Sequence, residues 1–255
     1  KKGDAFFHDS PPGGGARQSV KRNEFMKYNF GKVIVLALGG SIIYPDKIDV
    51  GFLKKFRKFI LRHIKSGKKF VIIIGGGSVA RDYQNAAGKV LNLSDEDKDW
   101  IGIHATRLNA HLLRAIFYQE ADPVVIDSRW KIKKIKHPVT IASGWRPGWS
   151  TDYVALQIAS DIGAKEAVIA GKPDYVYTKD PKTDKSARPI KRLSWKEYRK
   201  LVPARWVPGA HSPVDTVGAR LAEKESLAAI IIKGTNLKNF NRLISGKDFK
   251  GTVIS

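Results

Sequence analysis

Cysteine is missing from this chain, and methionine occurs once. Without cysteine there can be no disulfide framework and no thiolate metal site. Acids are scarce beside bases: 24 Asp and Glu stand against 46 Lys and Arg, a formal charge of +22. No apolar run approaches the ~18–20 residues of a membrane span. The N-terminus is polar and Gly/Pro-rich and does not read as a secretory signal. A cytoplasmic protein with no membrane partner is therefore the expectation. Internal repeats of solenoid period are absent too. Low complexity is confined to Ser10-Pro11-Pro12-Gly13-Gly14-Gly15. Residues 1–25 read as a disordered extension. Met26, the single methionine, reads as the native start.

An excess of positive charge suits acidic partners: nucleotides, nucleic acid or an anionic surface. The lysines are spread along the chain, with denser patches at residues 54–62 and 129–136. Neither patch carries a nucleic-acid motif, so nucleic acid stays the lesser reading.

What is present is enough for one large α/β domain or two close lobes: 255 residues, 42% of them hydrophobic. Apolar runs at residues 32–38, 69–74, 123–126, 138–142, 166–170, 227–233 and 252–255 read as strands. Helices are expected after Asp49, from about Ser78, from Ser94 to about Tyr118, over 152–162, 214–224 and 239–244. Ser194 with Glu197 forms a capping box for a further short helix. Residues 129–136 read as an edge strand or a short exposed helix, and 208–213 as a loop. Strand–helix alternation of this kind gives an α/β fold: a mainly parallel central sheet with helices on both faces. The aromatic stripe Phe52, Phe56 and Phe59 reads as core, and His63 as a packed histidine on it.

One stretch organises the rest: Ser143-Gly144-Trp145-Arg146-Pro147-Gly148-Trp149-Ser150-Thr151-Asp152. It links an expected strand to an expected helix. Unpaired N–H groups and the positive end of the helix dipole make such a start an anion site. Gly148 permits close approach and Arg146 adds a cation. An ordinary capped helix after a turn fits the same residues. Two more glycine turns follow expected strands: Gly39-Gly40-Ser41, and Gly75-Gly76-Gly77-Ser78 with Arg81 in the helix beyond. They stand at strand carboxyl ends, where α/β sheets bind ligands. Neither is a P-loop, because no Gly-Lys-Ser/Thr follows at the required spacing. Asp99 and Arg107 lie two turns apart on one expected helix. A carboxylate there could accept from both hydroxyls of a ribose, although a solvated first-turn acid is the commoner case.

Taken in order, these motifs resemble the amino acid kinase family and, within it, the archaeal-type uridylate kinases. The run Leu38-Gly39-Gly40-Ser41, the run Gly75-Gly76-Gly77-Ser78-Val79-Ala80-Arg81, and residues 99–110 carry the resemblance. So do Pro147-Gly148-Trp149-Ser150-Thr151-Asp152 and Asp174-Tyr175-Val176-Tyr177 with Asp180-Pro181. The match covers about residue 32 to the C-terminus. It implies a single domain over 26–255, with an acceptor lobe (26–165) and an ATP lobe (166–255). It further implies phosphoryl transfer from ATP to UMP with Mg²⁺, in a homohexamer. Gly76, Asp99, Trp145, Arg146, Pro147, Gly148, Trp149, Ser150 and Thr151 would hold UMP. Ala37, Leu38, Gly39, Gly40, Ser41, Gly77 and Arg81 would border the transferred phosphoryl. Gly171, Lys172, Tyr177 and Asp180 would lie at the adenosine side. Asp152 and Arg81 would be catalytic, with no protein cage for the metal.

Transfer between two phosphates needs alignment and charge stabilisation rather than a strong base. His104, His111 and His211 are accordingly not assigned to catalysis. The chain departs from the family at Ala37, where many members have lysine, and at Gly171-Lys172-Pro173-Asp174-Tyr175, where Lys172 is a candidate for the missing charge. The other readings are a kinase of carbamate, isopentenyl phosphate or an amino acid on the same fold, or a weakened relative that binds nucleotide or nucleic acid as a regulator.

Overall fold

The computed structural model describes residues 27–132, 134–203 and 212–255. Val33–Leu38 (β1) and Lys69–Ile74 (β2) are apolar nearly throughout, and both are buried on each face. Such strands belong in the middle of a parallel sheet. They pair in parallel, and β1 pairs on its other side with Glu166–Gly171 (β4). Val139–Ala142 (β3) lies beyond β2, and Ala228–Lys233 (β8) beyond β4, both parallel. Thr252–Ile254 (β9) runs antiparallel to β8, and the two-residue Arg192–Leu193 (β7) joins β9. The sheet order is β3-β2-β1-β4-β8-β9-β7. Val176–Tyr177 (β5) and Pro189–Ile190 (β6) form a separate two-stranded piece.

The sheet divides the core by face. Ile34, Leu36 and Leu38 of β1 point to one side and Val35 and Ala37 to the other. The first side is covered by Val50–Lys65 (α2), Asp95–Ile116 (α4) and Leu237–Ile244 (α8). Thr151–Asp161 (α5), Trp195–Tyr198 (α6) and Thr216–Lys224 (α7) cover the second. Gly40–Ile43 (α1) and Gly77–Val90 (α3) follow β1 and β2. Residues of both expected lobes share this one sheet, since β1 and β4 are neighbours. Among the described residues no helix is long and apolar enough to cross a membrane.

The caps expected from sequence are formed. Asp49 accepts from Phe52 N, Ser94 from Asp97 N, and Ser194 with Glu197 completes a capping box. His63 is buried, edge-on to Phe59 at 4.8 Å.

Some expectations are corrected. Residues 123–126 form no strand. Pro123 has no N–H to give a ladder, and Asp122 Oδ1 takes the amide of Val124 instead. Only single bridges remain, Ala121 to Val139 and Ile126 to Ala142. Of the two forms open for residues 129–136, the structure has the short helix, as one 3-10 turn at Arg129–Lys131. The turn at Gly39-Gly40-Ser41 passes directly into α1. Helix α7 starts two residues later than expected, because Asp215 stays outside as its N-cap. The extension 1–25, Met26, and His211 with most of the 208–213 loop lie outside the described residues.

Candidate active site

The parallel strands place their outgoing loops side by side along one edge, about 4.8 Å apart per strand. Across that edge come residues 143–150 after β3, Gly75-Gly76-Gly77 after β2, Gly39-Gly40 after β1 and residues 172–180 after β4. The connections reverse direction between β1 and β4, where an open α/β sheet leaves a crevice.

The two glycine turns touch through their backbones. A side chain at Gly40 would collide with Gly77 N and Gly75 O. Gly77 adopts φ +70, a left-handed conformation that bulkier residues rarely take, as the first residue of α3. A Cβ on Gly76 would sit 2.8 Å from the Ala80 Cβ. The turn is also held in place: Asn109 Nδ2 donates to Gly75 O at 2.9 Å and to Gly76 O at 3.1 Å.

Asn109 belongs to a polar stripe on α4. Asp99, Thr106 and Asn109 are spaced seven and three residues apart, which puts them on one side of the helix. Thr106 Oγ1 accepts from Gly144 N at 2.8 Å and donates to the Ile103 carbonyl at 2.6 Å. Asp99 Oδ2 accepts from Gly148 N at 2.8 Å. Gly148 has φ +79, so a glycine suits this turn. One helix thus fixes both the 143–150 loop and the second glycine turn. The carboxylate assigned to a ribose by resemblance is already bound to the loop assigned to the acceptor phosphate.

The loop's aromatic residues have separate tasks. Trp145 is buried and donates from Nε1 to Ile126 O at 3.2 Å, so its indole is a core anchor rather than an open stacking surface. Trp149 packs on Tyr153 at 4.5 Å, and the Arg146 guanidinium lies 4.6 Å over the Trp149 ring. Arg146 is exposed, and Pro147 and Thr151 are partly so.

At the start of α5, Ser150 Oγ accepts from Tyr153 N at 3.0 Å and donates to Asp215 Oδ2. Asp215 Oδ1 in turn accepts from Val217 N at 2.7 Å and Gly218 N at 2.9 Å, the first turn of α7. Tyr198 OH closes the far side, donating to Val214 O at 2.6 Å and accepting from Val214 N at 2.8 Å. Two helix starts therefore meet here, and Asp152 sits between them. Burial, and secondly the negative charge of Asp215, push the Asp152 carboxyl up to about 8.

Three cations around this edge are not neutralised by protein carboxylates. Arg81 and Lys172 are exposed and make no hydrogen bond or ion pair among the described residues, and Arg146 rests on Trp149. Ala37 is buried within β1 and offers no charge. Leu38 is core, and Gly39 donates its amide to Ala170 O at 3.0 Å. Ser41 lies in α1 and is partly exposed. Beyond Gly171, Tyr177 donates to Asp174 Oδ1 at 2.7 Å; that bond raises its pKa to about 12. Asp180 Oδ1 accepts from Lys182 N at 2.9 Å, so this carboxylate shapes its own turn.

Three residues of the site escaped the sequence reading of roles: Thr106, Asn109 and Asp215. The first two lie within a motif already quoted, and their spacing from Asp99 was the available signal. Asp215, just ahead of a helical pattern, carried an N-cap signal.

Comparison with known proteins gives the family. The model of the amino acid kinase family matches residues 32–233. A uridylate kinase of Hyperthermus butylicus is 33% identical over 224 residues, covering 87% of this chain and 97% of that protein. One from Methanoregula boonei is 34% identical, covering 88% and 96%. The crystal structure of uridylate kinase from Archaeoglobus fulgidus superposes with a TM-score of 0.74 at 30% identity, covering 88% of this chain and all of that one. A UMP kinase structure from Bacillus anthracis has a TM-score of 0.72 at 21% identity, a likeness of fold alone. With a family model spanning β1 to β8 and relatives matched over nearly their full length, this chain belongs to the amino acid kinase family.

Proposed function

We propose that the protein is a UMP kinase. An oxygen of the UMP phosphate attacks the γ-phosphorus of ATP, the bond from that phosphorus to the β,γ-bridging oxygen breaks, and UDP and ADP leave. Asp99 carries this reading: a carboxylate that reaches the loop at a helix start can hold a ribose and its phosphate loop together. The full-length similarity to uridylate kinases supports it.

In this reading, the 143–151 loop and the adjoining Gly76 hold UMP. The touching turns at Gly39-Gly40 and Gly77, with Arg81, face the phosphoryl in flight. Backbone amides and uncompensated cations are suited to the charge spread over its oxygens. Asp152 orients the donors at the two helix starts. Gly171, Lys172, Tyr177 and Asp180 border ATP, so residues 26–165 serve the acceptor and 166–255 the donor. Among the described residues no three acidic or histidine side chains cluster as a cation cage. Mg²⁺ typically binds through substrate phosphates with few protein ligands, which fits a site of this make-up. Bound there, it would neutralise charge on the β- and γ-phosphates.

We place the reaction in the cytoplasm and the protein in a homohexamer. The exposed Trp100 and Leu108 on α4, with Tyr118 just past its end, are apolar surface that assembly would cover. Light scattering on the purified protein reads the mass directly, and a monomer at micromolar concentration would remove the hexamer. The function is tested by ADP release with ATP and Mg²⁺ against UMP, CMP, dUMP, carbamate and isopentenyl phosphate. UMP is expected to give the highest kcat/KM. No turnover with millimolar UMP would overturn the reading.

A further inference from the structure

The excess positive charge is not spread evenly over the fold. On the α5–α7 side, several cations are paired with acids: Arg199 with Glu223 at 2.7 Å, Arg129 with Asp161 at 2.7 Å, and Lys224 with Glu225 at 3.7 Å. On the other side, α2 contains no acidic residue. Its Arg57 is used internally, bonded to Ile116 O at 2.9 Å and paired with Glu120 at 3.2 Å. Lys54, Lys55, Lys58, Arg62 and Lys65 remain, all exposed and without an ion pair among the described residues. At 3.6 residues per turn these five fall within an arc of roughly 100° and run for ~16 Å along the axis. Helix α8 packs beside α2, Phe240 on Phe59 at 5.0 Å, and adds exposed Lys238.

This arrangement has a cost that the fold alone does not explain. Like charges one turn apart on a helix repel, and the nucleotide site lies elsewhere, at the carboxyl edge of the sheet. We propose that the outer face of α2, continued by α8, is a docking surface for duplex DNA, gripped through its phosphate backbone without reading of bases. A straight row of cations with no acid among them complements a regular row of phosphates. Single strands are the poorer fit. They are held by stacking on exposed aromatics, and the aromatics of α2 (Phe52, Phe56 and Phe59) are all buried. An anionic lipid surface is poorer too, since the apolar face by which an amphipathic helix enters a membrane is already spent on the core.

The experiment uses the full chain and a labelled 20-base-pair duplex of arbitrary sequence, titrated at several salt concentrations. Neutralising five phosphates predicts a slope of log K against log salt of about −4.5, with Kd of about 10⁻⁴–10⁻⁶ M at physiological salt. The triple variant Lys54→Gln, Lys58→Gln, Arg62→Gln should flatten the slope by about 2.7 and weaken binding at least tenfold at low salt. Its melting temperature should be no lower than the parent's, since like-charge repulsion along the helix is relieved, and its ADP release should match the parent, which separates this test from that of the kinase reading. An unchanged slope in the triple variant would overturn the proposal. So would tighter binding of the single strand, or capture by phosphatidylserine vesicles with none by the duplex.

Discussion

Ser150 and Asp215 join the starts of two helices that stand 65 residues apart in sequence. Each does double duty. Ser150 caps α5 and donates its hydroxyl; Asp215 caps α7 with one carboxylate oxygen and receives Ser150 on the other. The 143–150 loop and the start of α7 are thereby held in one geometry at the point where Asp152 sits. A pair linked this way should not behave additively. Ser150→Ala and Asp215→Ala should each cost about 1–2 kcal/mol of stability as lost caps, with a coupling of about 0.5–3 kcal/mol in the double-mutant cycle. Denaturant unfolding of the four proteins measures it, and additivity within ~0.3 kcal/mol would show that the hydroxyl–carboxylate bond contributes nothing.

Asp99 is bound to Gly148 N, so its removal should loosen the acceptor loop and leave the ATP side intact. Hydrogen bonds to charged groups contribute about 1.5–3 kcal/mol. Asp99→Ala should therefore raise KM for UMP by roughly 10- to 100-fold while KM for ATP changes less than threefold. Initial rates with each substrate varied in turn decide it. Equal losses on both would mean that Asp99 supports the whole fold and not the acceptor.

Asn109 donates to two carbonyls of the second glycine turn, and no other side chain reaches both among the described residues. Asn109→Ala removes both bonds and takes the side-chain donor from the buried Gly75 carbonyl, at about 1–3 kcal/mol before relaxation. Because that turn touches Gly40 through its backbone, its displacement should reach the transferring phosphoryl. The expected result is a kcat reduced at least tenfold, with a melting temperature lower by several degrees. Asn109→Asp, which keeps the shape but loses the donors, should fail likewise. Full activity in either variant would break the link between this turn and catalysis.

The sheet was legible because its strands are apolar on both faces and end in glycines. β1, β2, β4 and β8 come within a residue of where the runs at 32–38, 69–74, 166–170 and 227–233 end. Helix starts were legible at Asp49, at Ser94 and at the Ser194–Glu197 capping box, while Asp215 was read into the helix that it caps. Residues 123–126 misled because apolar content alone does not supply a ladder, and Pro123 with the Asp122 turn removes it. The two-residue β5, β6 and β7 leave no periodic signal at all. In the site, the glycine turns were legible by residue type, and Asp99 was singled out through the family resemblance. What stayed hidden were contacts between distant segments: Asn109 to the Gly75 turn, Thr106 to Gly144, Ser150 to Asp215. Trp145 shows the converse, a residue whose motif position suggested ligand contact while its burial commits it to the core.

Asp152 gives the most distinctive pH dependence. Its carboxyl, near 3.8 when free, is pushed up to about 8 in the fold by burial and by Asp215. Between those values the folded protein keeps a proton that the unfolded chain has released. Stability from this group is therefore complete below about pH 4, falls as pH rises through the interval, and levels off above about 8. Asp152→Asn has no proton to lose. Relative to the parent it should match at pH 4 and gain steadily toward pH 8, by about 2–4 °C of melting temperature per kcal/mol recovered. The same variant should lose roughly 10²–10³ in kcat if the carboxylate orients donors around the phosphoryl. Melting curves at pH 4, 6 and 8 beside single-turnover rates test both halves. A variant that melts in parallel with the parent at every pH would show that Asp152 titrates near its free value, and that the meeting of the two helix starts does not hold its proton.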